Sequence, residues 1–221
     1  MGLGKAFFLV QHIGARVKAV KIHDLLDALG PMVLKCLGSW VTPWVDYKLH
    51  DTSDTVRLRT EALVENGARI ITVHASGGVP MMQAAVAAAG DRAEIYAITL
   101  LTSLTNDDIM RIFGMGWTGS ADLLREKVVH ELALMAKEAG VRTVVCSAQE
   151  VGMLKQSPDL DGMKFAVPGT RSAGVALGQQ KRSGTPRQAS DDGADFLVAG
   201  SQVTKAPDPV KAFDAFEAEI E

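Results

Sequence analysis

Short β-rich runs alternate with longer helical stretches along nearly the whole chain, and that alternation constrains the fold more than any other feature. Residues 17–22 (VKAVKI) read as a strand and 24–37 as a helix. Residues 42–49 (TPWVDYKL) read as a strand and 54–66 as a helix. The pattern repeats with strand 70–74 (IITVH) and helix 80–89, then strand 94–100 (EIYAITL) and helical stretches near 107–113 and 121–139. Residues 143–146, 164–167 and 196–199 complete the strands, and 186–191 and 209–219 are the last helices. Gly67, Gly90, Gly140 and Gly193 stand where helices end and strands begin, as the left-handed C-terminal turn of a helix favours. Strict alternation implies a parallel sheet with right-handed crossovers. Two arrangements satisfy it, a (β/α)8 barrel and an open doubly wound sheet. The barrel needs eight strands, and seven are legible. The helix-like segment 5–14 precedes the first of them, as though a strand belonged upstream. Both arrangements stay open on this pattern, and either would form as one domain over residues 1–221.

Composition narrows the function. The 221 residues are 47% hydrophobic and 22% charged, enough to bury a large core and unlike a disordered or collagen-like chain. The net charge of −3 comes without a basic block, which argues against general nucleic-acid binding. Cys36 and Cys146, the two cysteines, are too few for a disulfide scaffold or a cysteine-rich zinc site and suit a reducing cytosol. The N-terminal apolar run is short and lacks a clean cleavage site. No uncharged run reaches the ~18 residues of a membrane span. A cytoplasmic protein without a membrane partner is the expectation.

Asp46-Tyr47-Lys48-Leu49-His50-Asp51 is the strongest local signal. Alternate residues of a strand share a face, so Asp46 and Lys48 are expected to project together. Asp51 follows at the C-terminal end of the strand, where active-site groups gather in this architecture. Lys21, late in the preceding strand, can reach the same place. The structural alternative is a solvated salt-bridge network. Against it stands the cost of desolvating charges on a central strand, which makes such an array rare unless it is used.

The run VDYKLHDTSDTV resembles the F-L-D-L-K-L-H-D-I-P-N-T-V segment of the orotidine 5′-phosphate decarboxylase family. VKIHDLLDALGP resembles the family's lysine-bearing second-strand segment, and VHASGG its fourth-strand V-H-A-x-G-G. LTSL, VVCSAQE, VPGTRSAGVALGQQKRSGTP and DFLVAGSQVTKAPDP follow in the family's order to the C-terminus. The related phosphosugar decarboxylases and aldolases share D-x-K-x-x-D without the LHD, LTS and GQQKR surroundings. The resemblance implies a (β/α)8 TIM barrel, here with its first strand absent or altered, usually a homodimer, that decarboxylates orotidine 5′-phosphate to UMP without metal or organic cofactor. It implies that Lys48 protonates C6, that Asp46 lies beside the departing carboxylate, and that Lys21 bonds ribose. Asp51, with Thr55 near it, would be presented to the neighbouring subunit's site. Thr102 and Ser103 would meet the pyrimidine. Pro168 and Gly169 would open a loop whose Arg171 and Gln180 contact substrate, and Gly200 would form the phosphate-binding turn.

Three departures from the family pattern stand out. The family's opening strand carries a ribose-contacting aspartate that has no counterpart ahead of Lys21. Ser201 stands where the phosphate turn has arginine, and Arg171, Lys181 and Arg182 are the candidates to replace its charge. Thr52-Ser53-Asp54 replaces I-P-N. The absent first strand and Ser201 favour the alternative of a truncated, weakly active or noncatalytic barrel that binds a nucleotide. A sibling sugar-phosphate decarboxylase or aldolase is the other alternative. Elsewhere, Cys146 reads as core, Met81 and Met82 as core or interface filler, and His50 and His74 as strand-end packing or hydrogen-bond residues. Trp40, Trp44 and Trp117 are too scattered to stack bases.

Overall fold

The computed structural model describes residues 2–172 and 184–220. Its seven strands lie in the sheet in chain order, from first to last. A doubly wound sheet reverses its strand order at a switch point. The uninterrupted order is that of a β/α barrel sheet, with seven strands among the described residues instead of eight. Every recorded strand pairing is parallel. The chain divides into two compact units, Met1–Ala97 with Ala139–Val141, and Ile98–Glu138 with Arg142–Glu221.

In the first unit α1 (Leu3–Ile13) precedes β1 (Val20–Ile22). Then come α2 (Asp24–Leu29), α3 (Met32–Gly38), β2 (Pro43–Leu49), α4 (Ser53–Glu65), β3 (Ile70–His74), α5 (Val79–Ala89) and β4 (Glu94–Ile98). The single helix expected over 24–37 is two helices. Gly30 has φ +73°, and Pro31 cannot supply the N–H that would continue the ladder. Val45, Leu49, Ile70, Ile71 and Val73 of β2 and β3 are buried, the near-continuous apolar run of a parallel strand covered on both faces. Met81 and Met82 of α5 join this core as expected. Arg57 ties down the start of α4, bonding Asp54 at 2.7 Å and both oxygens of Glu61 at 2.9 and 3.0 Å. Gly67 ends that helix with φ +103°.

The second unit contains α6 (Asn106–Phe113), α7 (Ala121–Glu138), β5 (Thr143–Val145), α8 (Val151–Lys155), β6 (Lys164–Pro168) and α9 (Pro186–Asp191). It ends with β7 (Phe196–Val198), α10 (Ser201–Thr204) and α11 (Pro209–Ala218). The short helices α8 and α10 have no counterpart in the sequence reading, because one helical turn carries too little periodicity to register. Side chains cap the starts of α6, α9 and α11. Thr105 and Asp108 form a reciprocal capping box on α6, and Thr185 and Asp208 accept from the third residues of α9 and α11. Cys146 is buried beyond β5. Among the described residues no helix is long and apolar enough to cross a membrane.

Candidate active site

The first unit carries the charged array at the C-terminal ends of β1, β2 and β3. Val45 pairs with Ile71 and Leu49 with Val73, so four steps along β2 match two along β3. This bulge breaks the simple alternation expected for Asp46 and Lys48. Lys48 itself sits at φ +49°, a left-handed conformation that costs a non-glycine residue roughly 1–2 kcal/mol. Bulges of this kind re-aim side chains beside active sites. Despite the irregularity, the expected convergence is present. Lys48 Nζ lies 2.8 Å from Asp46 Oδ2, and Lys21 Nζ bonds the same oxygen. The other oxygen, Oδ1, accepts from Thr72 Oγ1 at 2.9 Å.

Burial and charge oppose each other at Asp46. Its side chain is 4% exposed, while those of Lys21 and Lys48 are 30% and 36% exposed. Burial alone pushes the carboxyl pKa up, but the charge and bond of Lys21, then those of Lys48, outweigh it and hold Asp46 below its usual range. The array is one carboxylate shared by two ammonium groups, leaving excess positive charge for an anionic ligand. Lys21 also lies 5.9 Å from the centroid of the Trp44 ring, which packs edge-on against Tyr96 at 5.2 Å.

Asp51 stands apart from the lysines. Its Oδ1 accepts from the Thr52 backbone N–H at 2.7 Å. Among the described residues Asp46 is the acidic group that Lys48 bonds. Thr55, in the first turn of α4, shares a hydroxyl–hydroxyl bond of 3.0 Å with Thr52. His50 and His74 lie at the strand ends with ring centroids 5.5 Å apart. Burial first, then the charges of His50 and Lys48, depress the His74 pKa against the pull of Asp46, so its imidazole is neutral near pH 7. On the opposite side of β2, Tyr47 donates to Asp27 Oδ1 at 2.5 Å, tying α2 to the bulged strand. Burial and this bond push the phenol up to about 12.

The remaining expected residues belong to the second unit. Thr102 is half-buried and Ser103 exposed beyond β4, and Pro168 is the last residue of β6. Gly169 has φ +78°, so a side chain there would be strained. Arg171 donates through Nη1 to Thr170 O at 2.8 Å and through Nη2 to Ser201 Oγ at 3.2 Å. Ser172 N–H and Oγ engage the side-chain amide of Gln202 at 3.3 and 3.4 Å. The segment after β6 is thus laced to α10, and the Arg171 guanidinium stands at the Gly200–Ser201 turn. Gln180, Lys181 and Arg182 lie outside the described residues. Sequence reasoning missed Thr72. Its one legible signal is a hydroxyl in the otherwise apolar run Ile70–Val73.

Parallel strands in chain order, with lysines and an aspartate gathered at their C-terminal ends, define a β/α-barrel enzyme class. Within that class the chain belongs to the Orotidine 5'-phosphate decarboxylase / HUMPS family, whose model matches residues 3–216. It is 42% identical over 199 residues to a protein of Streptococcus pneumoniae serotype 19F (strain G54) named orotidine 5'-phosphate decarboxylase, covering 89% of this chain and 82% of that one. The crystal structure of orotidine 5'-phosphate decarboxylase from Lactobacillus acidophilus superposes with a TM-score of 0.78 at 27% identity, covering 99% of this chain and 94% of the other. An uncharacterised conserved protein from Geobacillus kaustophilus is similar at a TM-score of 0.77 and 25% identity, covering 99% and 95%.

Proposed function

We infer that this protein decarboxylates orotidine 5′-phosphate to UMP in pyrimidine biosynthesis. The observation that carries the reading is the placement of two ammonium groups, Lys21 and Lys48, on one oxygen of buried Asp46. Breaking the bond between C6 and the carboxylate leaves an electron pair on C6 with little resonance relief. Lys48 donates an Nζ proton to that carbon and is reprotonated from solvent. Asp46 holds that ammonium in place through its 2.8 Å bond. It also places a negative charge where the substrate carboxylate must sit, a repulsion that disappears as CO2 leaves.

Magnitudes show that one lysine does not suffice. An ammonium ~4 Å from a full negative charge is worth about 4 kcal/mol at an effective dielectric near 20. The largest enzymatic accelerations require roughly 20 kcal/mol. Preorganised charge and the binding energy of the distant ribose and phosphate supply the difference. In this reading the whole chain, residues 1–221, acts as one cytoplasmic catalytic domain. Lys21 holds ribose, Thr102 and Ser103 meet the base, and Pro168, Gly169, Arg171, Gln180 and Gly200 serve the phosphate end. The enzyme works as a homodimer, with Asp51 and Thr55 offered to the partner's site. No step passes through a metal or organic cofactor, so a chelator should leave turnover unchanged.

A noncatalytic nucleotide-binding barrel is the second reading, and Ser201 favours it by removing the turn's arginine. The position of Arg171 at Ser201 Oγ weighs against it, since a guanidinium still stands at that turn. Wild-type protein should convert orotidine 5′-phosphate to UMP, followed by substrate absorbance. Lys48→Ala should lose at least about 1000-fold in kcat, as expected when a general acid and its charge vanish together, with an unchanged circular-dichroism spectrum. UMP binding without turnover in the wild type would establish the second reading instead.

A further inference from the structure

Opposite the bulge β3 offers a single residue. Because Val45 pairs with Ile71 and Leu49 with Val73, Thr72 stands alone against Asp46, Tyr47 and Lys48. Its Oγ1 donates to Asp46 Oδ1 at 2.9 Å and accepts from the Lys48 backbone N–H at 3.0 Å. The Val45 carbonyl lies 3.4 Å from the same oxygen. One hydroxyl proton serves one acceptor, and the nearer, charged oxygen holds it. Thr72 is fully buried, so water does not compete for these bonds. Its β-branched side chain also has few χ1 choices, which fixes the hydroxyl in space.

We propose that Thr72 is a positioning residue for the reaction. It pins the Lys48 backbone in its left-handed conformation and turns the Asp46 carboxylate so that both lysines reach one oxygen. Asp46 and Lys48 touch the reacting groups, and Thr72 acts through them. The inference rests on the decarboxylase reading of the site, but its physical core, a hydroxyl bridging a strained amide to a buried carboxylate, does not.

Thr72→Val keeps the shape and removes both bonds. Its kcat per folded protein should fall about 10- to 100-fold, the usual effect of a small misplacement of catalytic groups. KM and UMP affinity by calorimetry should stay within about threefold, since the groups read as meeting the base and phosphate make no bond to Thr72. Thr72→Ser, which restores the hydroxyl, should recover kcat to within about threefold of wild type. Native-state hydrogen exchange of the wild type provides a second measurement if Thr72→Val does not fold. The Lys48 amide should exchange slowly, as a bonded buried amide does. Unchanged kcat in Thr72→Val, Thr72→Ser as slow as Thr72→Val, or unprotected exchange at Lys48 would each overturn the proposal. Failure of the wild type to make UMP would instead overturn the decarboxylase reading and leave the exchange result standing.

Discussion

Two ammonium groups on one carboxylate set how the site responds to pH. Asp46 has a folded pKa below its ordinary 3.8. The unfolded chain therefore binds the proton first, and the stability Asp46 contributes is present above pH 3.8 and lost as pH falls through the folded value. His74 is depressed below its ordinary 6.5 by burial, His50 and Lys48. Here too the unfolded state takes the proton first, so stability begins to fall as pH drops below 6.5. The two losses occupy different windows. Thermal midpoints measured from pH 8 down to pH 5 (roughly the range of the histidine step) should decline in the wild type. The decline should be shallower in His74→Gln, which has no imidazole to charge. Equal slopes in the two proteins would show that His74 does not control this window.

Among the elements, the bulged end of β2 and the short helix α10 hold the candidate groups. β2 leaves regular pairing between Val45 and Leu49, and the Tyr47–Asp27 bond and Thr72 hold the two sides of that segment. At α10 the structure changes what the sequence difference at Ser201 means. An arginine there would stand beside Arg171, which already reaches Ser201 Oγ, and the two guanidinium groups would share the oxygens of one phosphate. Ser201→Arg should therefore tighten UMP binding only about tenfold, below the 2–4 kcal/mol of a full charge-assisted contact (roughly 30- to 1000-fold). Arg171→Ala should weaken it by at least about tenfold. Calorimetric titration of the three proteins checks both, and unchanged affinity in Arg171→Ala would show that the phosphate is held elsewhere.

At the scale of the whole molecule, the proposed homodimer makes a prediction that single-chain geometry cannot. Asp51 makes no bond to Lys48 in its own chain and lies exposed beside Thr52. If it serves the partner's site, inactive Lys48→Ala and Asp51→Ala proteins should complement when mixed and reassociated. Each hybrid dimer then holds one intact site, giving about a quarter of wild-type activity when the chains mix freely. No recovery would place Asp51 in its own subunit's chemistry. Most of the architecture was legible because hydrophobic period and glycine punctuation are local properties. The strand–helix alternation and the burial of Cys146, Met81 and Met82 could be read from local pattern, and the Asp46, Lys48 and Lys21 set from its resemblance to the family's motif. Strand order could not, since periodicity does not say which strand lies beside which; the pairing of neighbours in space separates a barrel-type sheet from a doubly wound one. Nor could Thr72, the left-handed Lys48 or the meeting of Arg171 with Ser201 be foreseen. Each depends on residues about 24 to 30 positions apart, and only packing of one strand or turn against another decides which atoms come within bonding distance.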